Sequence, residues 1–119
     1  SFFNDTLLRK IEEITFRKFK LKRVYANGQT FGQDGYWHYD DNNPNTWTFL
    51  LYISNLNTMS GNGGETMILG PTNTISVVSN LKNKGLLFKS DLVHKGLAPA
   101  RNYHFLRVTI AWKLEEILN

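Results

Sequence analysis

The sequence predicts a mainly β domain of jelly-roll or barrel type with one helix in front of it. Three observations carry that reading. Only the first fifteen residues repeat their apolar positions at helical spacing; from Thr15 onward the apolar residues fall into short runs; and turn residues (Gly, Asn, Pro) separate those runs almost to the end. Many short strands at such spacing close into a sandwich or barrel whose interior has room for a small ligand.

The helix starts after Asn4 or Asp5, either of which is a suitable cap. Leu7, Leu8, Ile11 and Ile14 form its apolar stripe, with Arg9, Lys10, Glu12 and Glu13 on the wet side. The stripe implies packing against a sheet. Asn27-Gly28 is a hairpin signal between a strand ending near Tyr25 and one approaching His38. The run Asp41-Asn42-Asn43-Pro44-Asn45 ends the His38 strand in a loop. Residues 46–53 form the clearest strand, apolar enough on both faces to be buried. Ser60-Gly61-Asn62-Gly63-Gly64 is a turn before a strand over residues 65–69, which Gly70-Pro71 stops. Strands follow over residues 75–78, 86–88, 92–94 and 105–114, with Asn83-Lys84-Gly85 as one of the turns.

At 119 residues, 41% hydrophobic and 13% aromatic, the chain has the material for one globular domain over residues 1–119, with a single core. It begins at Ser1 rather than Met, which reads as the start of a trimmed chain. No apolar run approaches the roughly 20 residues that cross a bilayer, and Phe2-Phe3 is followed at once by Asn4-Asp5. A soluble, cytoplasmic protein without a membrane partner is expected. With no cysteine there is no disulfide, thiolate metal site or cysteine nucleophile. Much of the net charge of +4 sits in Arg17-Lys18-Phe19-Lys20-Leu21-Lys22-Arg23. As a strand this segment puts Lys18, Lys20 and Lys22 on one face, either as a track for a phosphate backbone or, the favoured reading, as a solvated edge strand protected by lysines.

The stretch Gly35-Tyr36-Trp37-His38-Tyr39-Asp40-Asp41 carries the chemistry. Residues two apart on a strand share a face, so His38 and Asp40 present an imidazole and a carboxylate to one point. His94 is the leading candidate for a third ligand, and two imidazoles with one carboxylate make the facial triad that leaves ferrous iron open to oxygen. His104 matches no ligand pattern and reads as structural or solvent-facing. Gly61 to Gly64 is not a phosphate loop, since no Lys-Ser/Thr follows. Trp37, Trp47 and Trp112 read as core aromatics, with Trp37 and Tyr39 flanking the metal pair.

Taken in order, five segments resemble the iron(II)- and 2-oxoglutarate-dependent dioxygenases, in their prolyl 4-hydroxylase-like branch. They are Tyr25-Ala26-Asn27-Gly28, His38 to Asp40, Gly63-Gly64-Glu65-Thr66, Val93-His94-Lys95-Gly96 and Arg107-Val108-Thr109-Ile110-Ala111-Trp112. The resemblance runs from about Tyr25 to Leu114 and implies a double-stranded β-helix, the cupin-like form of the jelly roll. It implies His38, Asp40 and His94 as the metal ligands and catalytic residues. Arg107, in an R-x-T pattern with Thr109, is the implied holder of the far carboxylate of 2-oxoglutarate, with hydroxyls from Tyr25 and Thr66 beside it. Arg107, Thr109 and Ala111 share one strand face and Leu106, Val108, Ile110 and Trp112 the other, which suits a ligand-lined interior and a packed layer. Prolyl 4-hydroxylases proper carry a lysine about ten residues past the distal histidine. This chain has His104 there and its arginine three residues later, so Arg101 is a rival for the carboxylate.

The implied reaction uses Fe(II), oxygen and 2-oxoglutarate, with ascorbate in support, and releases succinate and carbon dioxide while hydroxylating a C–H bond. A carboxylate at Asp40 in place of a small residue argues for hydroxylation over halogenation. The implied substrate is a peptide, proline first, read by loops 41–45 and 56–62. A nucleic acid or small molecule handled by the same chemistry, or a jelly-roll binding module without turnover, are the alternatives.

Overall fold

The computed structural model describes residues 1–56 and 61–118. Residues 57–60 of the expected substrate loop, with Ser60 of the expected turn, lie outside the described residues. The chain opens with a π-helical turn, Phe2–Thr6, that runs into α1, Leu7–Thr15. Asn4 and Asp5 lie inside that first turn rather than capping the helix; Ser1 caps it, its hydroxyl accepting from the Asn4 N–H at 3.2 Å. Among the described residues seven strands follow: β1 Phe19–Gln29, β2 Thr46–Tyr52, β3 Thr66–Leu69, β4 Ile75–Val78, β5 Gly85–Lys89, β6 His94–Gly96 and β7 Arg107–Glu116. They form two antiparallel sheets, β1-β7-β2-β5 and β4-β3-β6. The fold is mainly β with a helix packed on one sheet, as the short apolar runs imply.

The first sheet has one face for the helix and one for the interior. Ile11 of α1 packs with Phe19, Trp112 and Leu114, and Leu7, Leu8, Leu21, Val24, Trp47, Phe49 and Ile110 surround that cluster. The Glu12 carboxylate accepts the Phe19 N–H at 2.9 Å, pinning the start of β1 to the helix. Ile14 is left out, 76% exposed, because the sheet covers a stripe only as wide as Leu7, Leu8 and Ile11. Trp112 and Trp47 belong to the core or its margin, whereas Trp37 stands at the surface with the Lys95 amine 4.8 Å from its ring centre.

The opposite face of the same sheet supplies the interior. Antiparallel partners point the same way, so Tyr25 and Leu50 flank Ala111, while Asn27 and Tyr52 flank Thr109. Gln29 stands opposite Arg107, and Thr48 opposite Lys113. Asn27-Gly28 is no hairpin: β1 pairs through it with Thr109 and Val108 and ends only at Gln29. β1 is an edge strand, as the lysine-rich segment suggests. The strand expected over 92–94 begins at His94 and runs to Gly96.

The Gly63-Gly64 turn is built as its sequence demands. Both residues have positive φ, and a Cβ on Gly63 would lie 2.8 Å from the Ala100 nitrogen and 3.0 Å from the Ala98 oxygen. Only glycine fits. The turn leads directly into β3 and carries Thr66 and the Gly64 carbonyl to the interior.

Candidate active site

His38 and His94 face each other across an isolated antiparallel bridge rather than from a regular strand pair. The His38 N–H donates to the His94 carbonyl at 3.0 Å and the His94 N–H returns to the His38 carbonyl at 2.8 Å. The chain at 36–40 is extended enough that Asp40 joins them, with its own N–H anchored on the Ser90 carbonyl at 2.8 Å. One ligand-type atom from each of the three residues lies within 4.8 Å of the others. His38 Nε2 is 3.3 Å from Asp40 Oδ1, and His94 Nε2 is 3.5 Å from Oδ2.

The ring tautomers follow from the far nitrogens. Nδ1 of His38 lies 2.8 Å from the Tyr36 carbonyl and Nδ1 of His94 lies 2.9 Å from that of Leu92. A carbonyl only accepts, so Nδ1 carries a proton in each ring, and Nε2 is the atom that offers a lone pair to a metal. Two imidazole lone pairs and a carboxylate therefore converge on one point, an arrangement that repels itself until a cation stands between them. The residues fit a divalent metal, and the backbone carbonyls behind the rings are the outer partners that metal-bound histidines require. Burial depresses the pKa of His94, more than the neighbouring carboxylate raises it, so the ring is neutral at pH 7. Burial alone would raise that of Asp40, but the hydrogen bond and charge of Lys113, then His94 and the Thr48 hydroxyl, outweigh it and hold the carboxyl below its ordinary value.

A cavity of about 90 Å³ runs from this triad past Tyr25, Leu50 and Thr109 to Thr66 and Arg107. Arg107 is 3% exposed, and burial lowers its pKa. Its Nε donates to the Gly64 carbonyl at 2.9 Å, Nη1 to Gln29 at 2.8 Å and Nη2 to Thr66 at 3.2 Å. Those bonds leave one N–H on each terminal nitrogen, the edge that grips a carboxylate. Among the described residues Arg107 makes no ion pair. A Cβ on Gly96 would lie 3.3 Å from both Nη1 and Nη2, so β6 passes the guanidinium closely because it carries glycine there.

No family model matches the sequence, and no curated protein matches it. Solved structures do. A 2OG-Fe(II) oxygenase-family oxidoreductase from Burkholderia pseudomallei aligns with a TM-score of 0.76 at 11% identity, over 96% of this chain and 54% of that one. A prolyl-4-hydroxylase from Pseudomonas putida gives 0.70 at 14% identity, over 96% and 65%. The prolyl hydroxylase from Trichoplax adhaerens, solved with a hypoxia inducible factor oxygen degradation domain peptide fragment, gives 0.67 at 18%, over 84% and 46%. The chain has the fold of the 2OG-Fe(II) oxygenases. It spans 46% to 65% of the length of these three relatives.

Within this oxygenase fold the remaining expected residues fall as follows. Tyr25, Thr66 and Thr109 line the cavity, and Thr66 also accepts the Tyr52 hydroxyl at 2.6 Å. Arg101 and His104 are exposed on the connection before β7, outside the cavity. Trp37 and Tyr39 are exposed and do not line it.

Sequence reasoning missed Asn27, Gln29, Thr48 and Lys113. Lys113 was within reach, being the next position on the face of Arg107, Thr109 and Ala111. Its amine donates to Asp40 Oδ2 and to Thr48 at 3.2 Å, and Thr48 donates to the same Oδ2 at 2.8 Å. One carboxylate oxygen is thus held by the protein, and Oδ1 is left to the triad. Replacing Lys113 with Met keeps the length and removes the charge. Without metal the variant should lose about 2 kcal/mol of stability, because Asp40 loses its half-buried partner. Mn(II) at a fixed concentration should then raise the Tm of the variant more than that of the parent; equal rises would mean the lysine has no influence on the triad.

Proposed function

We propose that this chain is the core of an iron(II)- and 2-oxoglutarate-dependent dioxygenase that hydroxylates a C–H bond of a peptidyl substrate, proline first. The observation that carries the reading is Arg107. A buried guanidinium that makes no ion pair among the described residues shares one small cavity with a His-Asp-His cluster that calls for a divalent cation. A dicarboxylic 2-oxo acid answers both ends at once, reaching the metal with its oxo acid end and Arg107 with the other.

His38, Asp40 and His94 would hold the iron. Bound iron and 2-oxoglutarate supply the oxidising chemistry, coupling decarboxylation of the 2-oxo acid by oxygen to hydroxylation and leaving succinate and carbon dioxide. Arg107 binds the far carboxylate bidentately, with Thr66 and Thr109 as neighbouring hydroxyls and Tyr25 on the cavity wall. Leu50 lines the cavity, and the buried Phe88, whose ring meets His94 edge-on at 4.7 Å, shields the inner side of the triad. Lys113 and Thr48 fix the Asp40 carboxylate. The peptide as substrate class is supported by the Trichoplax relative, which was solved with one.

The test is succinate release from 2-oxoglutarate by the purified chain with ferrous iron, oxygen and ascorbate, before any substrate is added. Slow succinate formation that EDTA abolishes is expected. Iron-independent background alone, with no binding of metal or 2-oxoglutarate, overturns the proposal in favour of a non-catalytic module.

A further inference from the structure

β1 has one irregularity, and it lies beside the triad. Its pairing with β7 slips between Leu21 and Arg23. Leu21 and Val24 both pack on the helix side of the sheet, so the two residues between them are both released from that face. Lys22 and Arg23 line a cleft of about 370 Å³ that shares Tyr25, Asp40 and Lys113 with the triad's cavity. The bulge therefore sets two consecutive cations at the mouth of the site.

Their partners decide what they are free to bind. Lys113 is committed to Asp40. The Lys22 amine approaches Glu115 only to 4.0 Å, and the Arg23 guanidinium lies 4.5 Å over the Tyr25 ring without an ion pair among the described residues. Arg17, at the head of the basic segment, is spent on Glu116 at 2.7 Å. Glu115 and Glu116 of β7 thus stand beside two of the cations of the segment, Lys22 and Arg17. Asp41, in the wall of the same cleft, repels a second anion. What is left is a place for one negative charge, on a guanidinium that lies over an aromatic ring and offers the forked donors that suit a carboxylate.

We propose that this cleft is the specificity pocket for the substrate, and that it takes the side-chain carboxylate of an acidic residue close to the hydroxylated one in a peptide. Arg23 is the anchor and Lys22 the supporting charge. The assignment rests on the dioxygenase reading for what happens to the peptide, but the binding itself does not.

The test uses the full chain with Mn(II) and 2-oxoglutarate, and three proline-containing peptides that differ only in having Glu, Gln or Lys beside the proline. Binding is read by fluorescence polarisation. The Glu peptide should bind about fivefold more tightly than the Gln peptide, the scale of one solvent-accessible ion pair, and the Lys peptide weakest. In Arg23→Glu the order should reverse in favour of Lys. A reversal is a gain, so misfolding does not imitate it. Equal affinities, an order that survives in Arg23→Glu, or no measurable binding overturns the assignment. So does a single-stranded oligonucleotide that binds the parent more tightly than the Glu peptide. Succinate release without peptide, measured on the same preparation, separates the two readings. Succinate without discrimination removes the pocket and leaves the dioxygenase; discrimination without succinate does the reverse.

Discussion

Replacing Asp40 with alanine should remove metal-dependent succinate formation altogether and weaken Mn(II) binding by more than about 100-fold, beyond what loss of an outer partner costs a metal site. The carboxylate is the one anionic group of the cluster, the other two members being imidazoles whose Nδ1 atoms are turned to backbone carbonyls. Without it two imidazoles remain, and the nearest charge is the repelling amine of Lys113. That same amine gives the variant a cost in stability, because a half-buried cation loses its partner; about 1–3 kcal/mol is expected. Asp40→Asn separates the two effects. The amide keeps an acceptor for Thr48 and Lys113, so it should recover much of the stability while remaining unable to bind metal. Calorimetric titration with Mn(II) and a thermal melt of each variant read both quantities. If either variant still makes succinate in proportion to added iron, Asp40 is not a ligand.

How far the sequence foretold this site depends on which forces were local. An extended backbone places residues i and i+2 on one side whether or not a regular strand forms, so the meeting of His38 and Asp40 survives although only a single bridge ties them to His94. The alternation on β7 was legible for the same reason, and it simply extends one step further, to Lys113. Asn27-Gly28 misled because a turn preference is worth little against a ladder that runs without a slip from Arg23 to Gln29. Opening a hairpin there would cost the β1–β7 backbone bonds on both sides and would carry Gln29 away from Arg107. With the hairpin assumed, Asn27 and Gln29 could not be seen as interior residues. Ile14 and Trp37 show the other limit. Both are apolar and in register with their neighbours, yet whether a layer exists to cover them is decided by chain far away in sequence. Lys22 and Arg23 show it once more: no local signal marks the bulge, on either side of which Leu21 and Val24 both pack against the Ile11 cluster.

Arg107→Met should raise the concentration of 2-oxoglutarate needed for half-maximal succinate formation by about 100-fold or more, the loss expected when one member of a buried, hydrogen-bonded charge pair is removed. Metal binding should stay within about twofold, because Arg107 touches none of the three triad residues. The thermal signature is equally specific. In the parent, the guanidinium is buried beside a tyrosine ring, the Gly63-Gly64 turn and β6, and makes no ion pair among the described residues, so 2-oxoglutarate added with Mn(II) supplies a paired charge and should raise Tm. In the variant that rise should vanish. The ligand-free variant faces opposing terms. It no longer buries an unpaired cation, but the Gly64 carbonyl, Gln29 and Thr66 lose a donor. Its own Tm should therefore move little compared with the loss of the ligand-induced shift. Arg101→Ala is the control. That side chain is exposed on the connection before β7, and its removal should leave both half-saturation and the thermal shift unchanged. If Arg101→Ala produces the loss and Arg107→Met does not, the carboxylate is held outside the cavity and the interior guanidinium serves only to join Gly64, Gln29 and Thr66.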